Sequence, residues 1–130
     1  MQVEITFPCE LVSLNRFRTM HYRIWHPIMK RTREAARFAA LEAKLPKMAR
    51  ADIHVFPGQK KGVLADPGNH YPSAKAAIDG LVDAGILKND SPECVACVSL
   101  YGPVRSTRND LRIVLVDASY SDEYSVSSSD

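Results

Sequence analysis

The sequence predicts an α+β (α/β-like) domain. It would hold one mixed β-sheet of about four strands packed with two main helices, in the order β-α-β-α-β-β. Three observations carry this expectation. A short alternating apolar stretch lies near the start of the chain, and a short apolar run, Leu111 to Ala118, lies further on. A long amphipathic stretch follows the first of them, and a shorter helical period sits between Pro72 and Gly85.

Val3-Glu-Ile5-Thr-Phe7 alternates as a first strand ending at Pro8, and Asn15-Arg16 follow in a basic loop. A long helix is expected from His26 or Pro27 to about Leu45. Ile28, Ala35, Phe38, Leu41 and Leu45 would line one side of it, with Lys30, Arg33, Arg37 and Lys44 on another. Trp25 would pack as a staple at its start, with base stacking as the functional alternative. Ile53-His-Val55 belongs to a second strand. Pro57 to Tyr71 has neither period and reads as a long loop, of the kind that in compact domains is either functional or disordered.

The second helix has the clearest pattern. Ala74, Ala77, Ile78, Leu81 and Val82 follow the spacing of one apolar face. Pro72 suits a first turn and Gly85 the position just past the end. Lys75 and Asp79 then stand one turn apart on the opposite face. Val95 to Tyr101 and Leu111 to Ala118 read as the last two strands, with Gly102-Pro103 to Asp110 as a hairpin connection between them. Residues 1–118 would form one domain, and the acidic, serine-rich tail 119–130 is expected to be disordered.

Composition bounds the function. The chain is 130 residues long, 45% apolar and 25% charged, as in ordinary globular proteins. No apolar run approaches the roughly 18 residues that span a membrane, and no signal-peptide pattern opens the chain, so a cytoplasmic protein is expected. Cys94-x-x-Cys97 is half of a zinc pattern without partners. In a strand those thiols would point to opposite faces, so Cys9, Cys94 and Cys97 read as buried reduced thiols. His21, His26, His54 and His70 are scattered, His70 reading as a turn residue. Neither a Gly-x-Ser-x-Gly elbow nor a Gly-x-x-x-x-Gly-Lys loop is present, so no nucleotide cofactor is expected.

Charge divides unevenly. Residues 1–61 carry twelve Lys and Arg against five acids, a net of +7, and residues 62–130 carry five against ten, a net of −5. A polyanion partner for the N-terminal half follows from that asymmetry. Arg16, Arg18, Lys60 and Lys61 are the candidate phosphate contacts, because they sit in loops near the acidic segment.

That segment gathers the chemistry. Asp66-x-x-Asn69, Pro72-x-x-Lys75-Ala-x-x-Asp79-Gly-Leu-x-x-Ala-Gly-x-Leu and Asn89-Asp90 surround one short helix and its flanking loops. By spacing alone, Lys75–Asp79 is a solvated ion pair and the flanking residues are turn formers. The same run resembles the RusA family of small Holliday-junction resolvases, found mainly in phages and prophages, and the order of elements is similar from about residue 2 to residue 118.

The resemblance implies a Mg²⁺-dependent endonuclease (Mn²⁺ can substitute) acting on four-way branched DNA as a homodimer, in recombination or repair. It assigns Asp66, Lys75 and Asp90 as catalytic residues and Asp66 and Asp90 as metal ligands, with Asn69, Asp79 and Asn89 in support. Asp79 would orient Lys75 across one helical turn, with a place as an outer metal ligand as the alternative. Two positions depart from the family pattern, Gly68 and Asn89 standing where many members have acids, which leaves the number of metals open. A nuclease preferring flaps or forks and a non-catalytic branched-DNA-binding protein are the alternatives.

Overall fold

The computed structural model describes residues 1–119, so the expectation for the tail falls outside the described residues. The elements are β1 (Gln2–Pro8), α1 (Leu14–Thr19), α2 (Tyr22–Glu42), β2 (Ala51–Gln59), α3 (Tyr71–Asp83), β3 (Val95–Leu100), β4 (Val104–Arg105) and β5 (Asp110–Asp117). The fold is α+β, with three helices on a mixed sheet of five strands.

Strand alternation produces the core. The sheet order is β1-β5-β2-β3, with the short β4 also pairing β2. β5 runs antiparallel to both β1 and β2, which sets Ile5, Ile113 and Val55 in one cross-strand row. Ile113 is fully buried and the other two nearly so. On this face they pack with Ala36 and Ala40 of α2 and Ala74, Ala77, Ile78 and Leu81 of α3. The opposite face carries Glu4 and Thr6, both exposed, and the half-buried His54 and Phe56.

The sheet order corrects the expected hairpin. β2 lies between β5 and β3 and pairs β3 in parallel, so β3 and β5 are not neighbours. Residues 101–109 therefore cross over β2 instead of turning tightly, contributing β4 on the way. β2 extends to Gln59, which trims the expected loop from Pro57.

The helices also differ from expectation. Arg16 and Arg18 lie on the short helix α1, whose N-cap Ser13 accepts a hydrogen bond from the Arg16 N–H at 3.1 Å. α2 starts at Tyr22, so Trp25 lies within its first turns and Pro27 falls inside the helix. Its buried stripe is Ile28, Thr32, Ala36 and Ala40, whereas Phe38 is 61% exposed and Leu41 44% exposed. Small residues face α3 because the two helices approach too closely for a large side chain. Among the thiols, Cys94 is buried and Cys9 half-buried, whereas Cys97 is exposed, contrary to expectation. Burial foremost, with Asp110 and Glu10, pushes the Cys9 thiol up to about 12. Among the described residues no helix is long and apolar enough to cross a membrane.

Gly80 marks the closest approach. A Cβ there would stand 2.3 Å from the Arg33 carbonyl oxygen and 2.8 Å from the Ala36 Cβ. Alanine normally stabilises a helix by about 1 kcal/mol over glycine. Gly80→Ala is nonetheless expected to destabilise the protein by roughly 1–3 kcal/mol, because overpacking outweighs propensity. Urea unfolding measures it, and an unchanged or raised midpoint would disprove the close packing.

Candidate active site

The two ends of α3 are built by different turns. Before the helix, the Asn69 N–H donates to the Asp66 carbonyl at 3.0 Å. Pro67 fills the second position of this turn and Gly68, with φ +84°, the third. These are the requirements of a type II turn. Glycine takes this left-handed backbone at position 68 without a Cβ penalty. The turn is tied down twice. The Leu14 N–H donates to the Asn69 carbonyl at 2.8 Å, and the buried Val12 N–H donates to Ser73 Oγ at 2.8 Å.

After the helix, Gly85 takes φ +79°. Its N–H reaches the Val82 carbonyl at 2.9 Å, while the Ile86 N–H reaches that of Leu81 at 3.1 Å. This Schellman pair satisfies the last carbonyls and reverses the chain. Asn89 then accepts the Ser91 N–H at 2.9 Å, shaping the short bend that presents Asp90.

The reversal brings Asp90 back beside the helix. Lys75 Nζ donates to Asp79 Oδ1 at 2.9 Å and also to Asp90 Oδ2. Two carboxylates from different elements therefore converge on one ammonium. Burial alone would lower the Lys75 pKa, but the hydrogen bonds to Asp79 and Asp90 outweigh it and hold the value above the ordinary one. The hydrogen bond from Lys75, followed by its charge, holds Asp90 below the usual carboxylate value. With one pKa raised and the other depressed, the pair is charged throughout the neutral range and is lost as pH falls through the depressed Asp90 pKa. Lys75 is thus a cation and a donor at neutral pH, not a base.

Asp66 is placed differently. Its side chain borders a small cavity with Val55, His70 and Tyr101, and it makes no hydrogen bond to Lys75, Asp79 or Asp90. His70 is the residue that the sequence undervalued. Both ring nitrogens are shut from solvent without a hydrogen-bond partner. Burial lowers its pKa, and the nearby Val12 backbone opposes the shift without completing a hydrogen bond. Nothing in the letters Asn69-His70-Tyr71 distinguishes this from a turn residue.

Of the four basic candidates, Arg16 is engaged by Glu10 at 2.7 Å, and Arg18 is exposed on α1. Lys60 and Lys61 border a hollow of about 440 Å³ with Gln59, His70 and Asn109. Arg105, which sequence reasoning passed over, holds this loop by donating to the Lys60 carbonyl at 3.1 Å and the Gly62 carbonyl at 2.8 Å. A groove of about 350 Å³ opens on the other side of α3, with Phe17, Trp25, Met29 and Tyr71 beside Lys75 and Asp79.

Mg²⁺ takes hard oxygen ligands, commonly one or two carboxylates completed by water and phosphate. The carboxylates of Asp79 and Asp90, already converging on a cationic nitrogen, are donors of that kind. Among the described residues no group of three or more His, Cys, Asp or Glu is gathered for a metal. No family model matches the chain, and no curated protein matches it.

Lys75→Met is expected to return the Asp90 carboxyl to the ordinary carboxylate range, read by ¹³C NMR titration of the side chain. A carboxyl still depressed in that variant would show that Lys75 is not its partner.

Proposed function

We propose that this chain is a Mg²⁺-dependent endonuclease that cuts phosphodiester bonds in branched DNA, four-way junctions foremost, and works as a homodimer. The observation that carries the proposal is the Lys75 ammonium, fixed between Asp79 and Asp90 at the side of an open groove. A fixed, permanently charged donor can stabilise charge that builds on a phosphoryl oxygen or a leaving oxygen. Asp79 restricts where that donor points. The exposed Lys60, Lys61 and Arg18 can hold the phosphate backbone without reading sequence, which suits an enzyme that recognises branched shape.

Asp90, with Asp66 as the resemblance implies or Asp79 as the local geometry favours, would hold the metal. Bound there, Mg²⁺ would activate water and offset charge on the scissile phosphate. A homodimer follows from the reaction, since resolving a four-way junction takes two matched cuts. A second reading, a binding protein without cleavage, is favoured by the glycine backbone at position 68 and by the absence of a three-acid group among the described residues.

Incubation with four-way, flap, fork and linear DNA in Mg²⁺, Mn²⁺ or EDTA separates these readings. The expected result is metal-dependent cutting of branched substrates. Asp90→Asn and Asp66→Asn should abolish cutting while junction binding persists, and Lys75→Ala should slow it by about 10²–10³. Wild type that binds junctions but cuts none with either metal would leave the binding protein. Near-normal cutting by Asp66→Asn would remove Asp66 from the site and leave the acids around Lys75.

Charge reversal at Lys60 and Lys61 is expected to weaken binding to all branched substrates alike. The slope of log affinity against log salt should become shallower by nearly one for each phosphate that the variant no longer neutralises. An unchanged slope would move the DNA path away from this loop.

A further inference from the structure

The groove beside Lys75 has walls that phosphate chemistry does not require. Phe17 and Trp25 pack with ring centroids 4.7 Å apart, and Tyr22 meets the Trp25 edge at 5.0 Å. Tyr71, 42% exposed, faces the same space from the first turn of α3. A surface so rich in aromatic rings and left open needs an occupant.

Charge selects which one. The two helices that supply Phe17, Trp25 and Met29 also carry exposed cations, Arg18 on α1 and Arg23 and Lys30 on α2. Lys30 and Arg33 border a hollow that shares Met29, Ala76 and Asp79 with the groove. Aromatic faces interleaved with cations favour a ligand having both a flat π-system and a polyanionic backbone, and a nucleic acid strand with an unstacked base has both. A purely apolar partner would gain nothing from the cations, and an intact duplex would offer no base face.

We infer that the Phe17–Trp25–Tyr71 groove is a subsite for a nucleobase unstacked at the branch point of the DNA. Seated there, the base places its own backbone beside Lys75 and Asp90, so recognition of the branch and choice of the bond are one event. Unpairing costs least where the duplex is already interrupted, which makes the pocket selective for branched over linear DNA. The inference rests on the nuclease reading for the identity of its ligand, but its test reads binding and not cleavage.

Trp25 is the single tryptophan of the chain, so intrinsic fluorescence reports the groove without a label. The full chain is titrated, with Ca²⁺ replacing Mg²⁺ to hold back cleavage, with a four-way junction, a single strand and a blunt linear duplex. A junction carrying 2-aminopurine at the branch supplies the reciprocal signal. The expected result is quenching of Trp25 by the junction and the single strand but not by the duplex, together with a change in 2-aminopurine emission. Phe17→Ala and Tyr71→Ala should each weaken junction binding roughly ten-fold, leaving duplex binding unchanged, while Trp25→Phe retains most of the affinity.

Tight junction binding with silent Trp25 and silent 2-aminopurine would overturn the base subsite and leave the nuclease reading standing. No binding of any branched DNA would overturn both. A Trp25 signal that follows protein concentration alone, alongside dimer formation by sedimentation, would assign the groove to a second copy of the chain. If an alanine variant fails to fold by circular dichroism, the wild-type quenching and Trp25→Phe still decide.

Discussion

The rest of the molecule is organised around the backbone contact between α2 and α3 at Gly80. A single methyl group at that position would collide with the Arg33 carbonyl, so the two helix axes can lie together only because residue 80 has no side chain. Alanines at 36 and 40 of α2 and at 74 and 77 of α3 extend the same close fit into the core. Beside this seam Arg33 and Asp83 form a two-pronged bridge at 2.5 and 2.7 Å, which keeps the helices from sliding. Once the crossing is fixed, Trp25 and Met29 near the start of α2 fall alongside Lys75 and Ala76 near the start of α3. The groove and the ammonium cluster are thus neighbours by helix geometry.

Legibility in the sequence followed the range of the interaction. β1, β5 and α3 were readable because strand alternation, a short apolar run and helical period are all local signals, and the Lys75–Asp79 pair followed from the rise of one turn. Phe38 and Leu41 were misplaced because helical period marks an apolar stripe without saying how close the partner helix comes. Beyond Ile28, the buried stripe of α2 is threonine and alanine, and α3 meets it with one glycine. The six residues of α1 were too few for a period to show. Sheet order was invisible for another reason: the apolar run of β5 reads as a strand whichever strands flank it, and the choice is made by chain crossing. At the site, Asp90 could be placed beside Lys75 only through the Gly85 reversal, whose geometry leaves one letter in the sequence. That Asp66 takes no part in the hydrogen bonds of this cluster leaves none.

The uneven charge of the two halves acquires a spatial meaning in the fold. The basic half builds β1, α1, α2 and β2, whereas the acids of interest cluster around α3 and the bend after it. An anionic chain drawn to the basic elements would be repelled by bare carboxylates, but Lys75 partly neutralises Asp79 and Asp90. On the proposed reading, long-range attraction would be retained up to the groove, where short-range contacts would take over.

Sheet order also bears on how the chain reaches this state. β5, the last strand among the described residues, lies between β1 and β2 and hydrogen-bonds to both. Until Asp117 has been synthesised, the first strand has no neighbour and the sheet has a gap at its middle. Of the pairings that close it, those of β1 join residues more than a hundred positions apart, such as Gln2 with Val116. Such distant pairings slow folding and delay it until synthesis of the domain is almost complete. During that interval the unpaired N–H and C=O groups on the inner edges of β1 and β2 are open to the matching strands of other nascent copies, so exchange of β5 between chains is the misassembly that this topology invites.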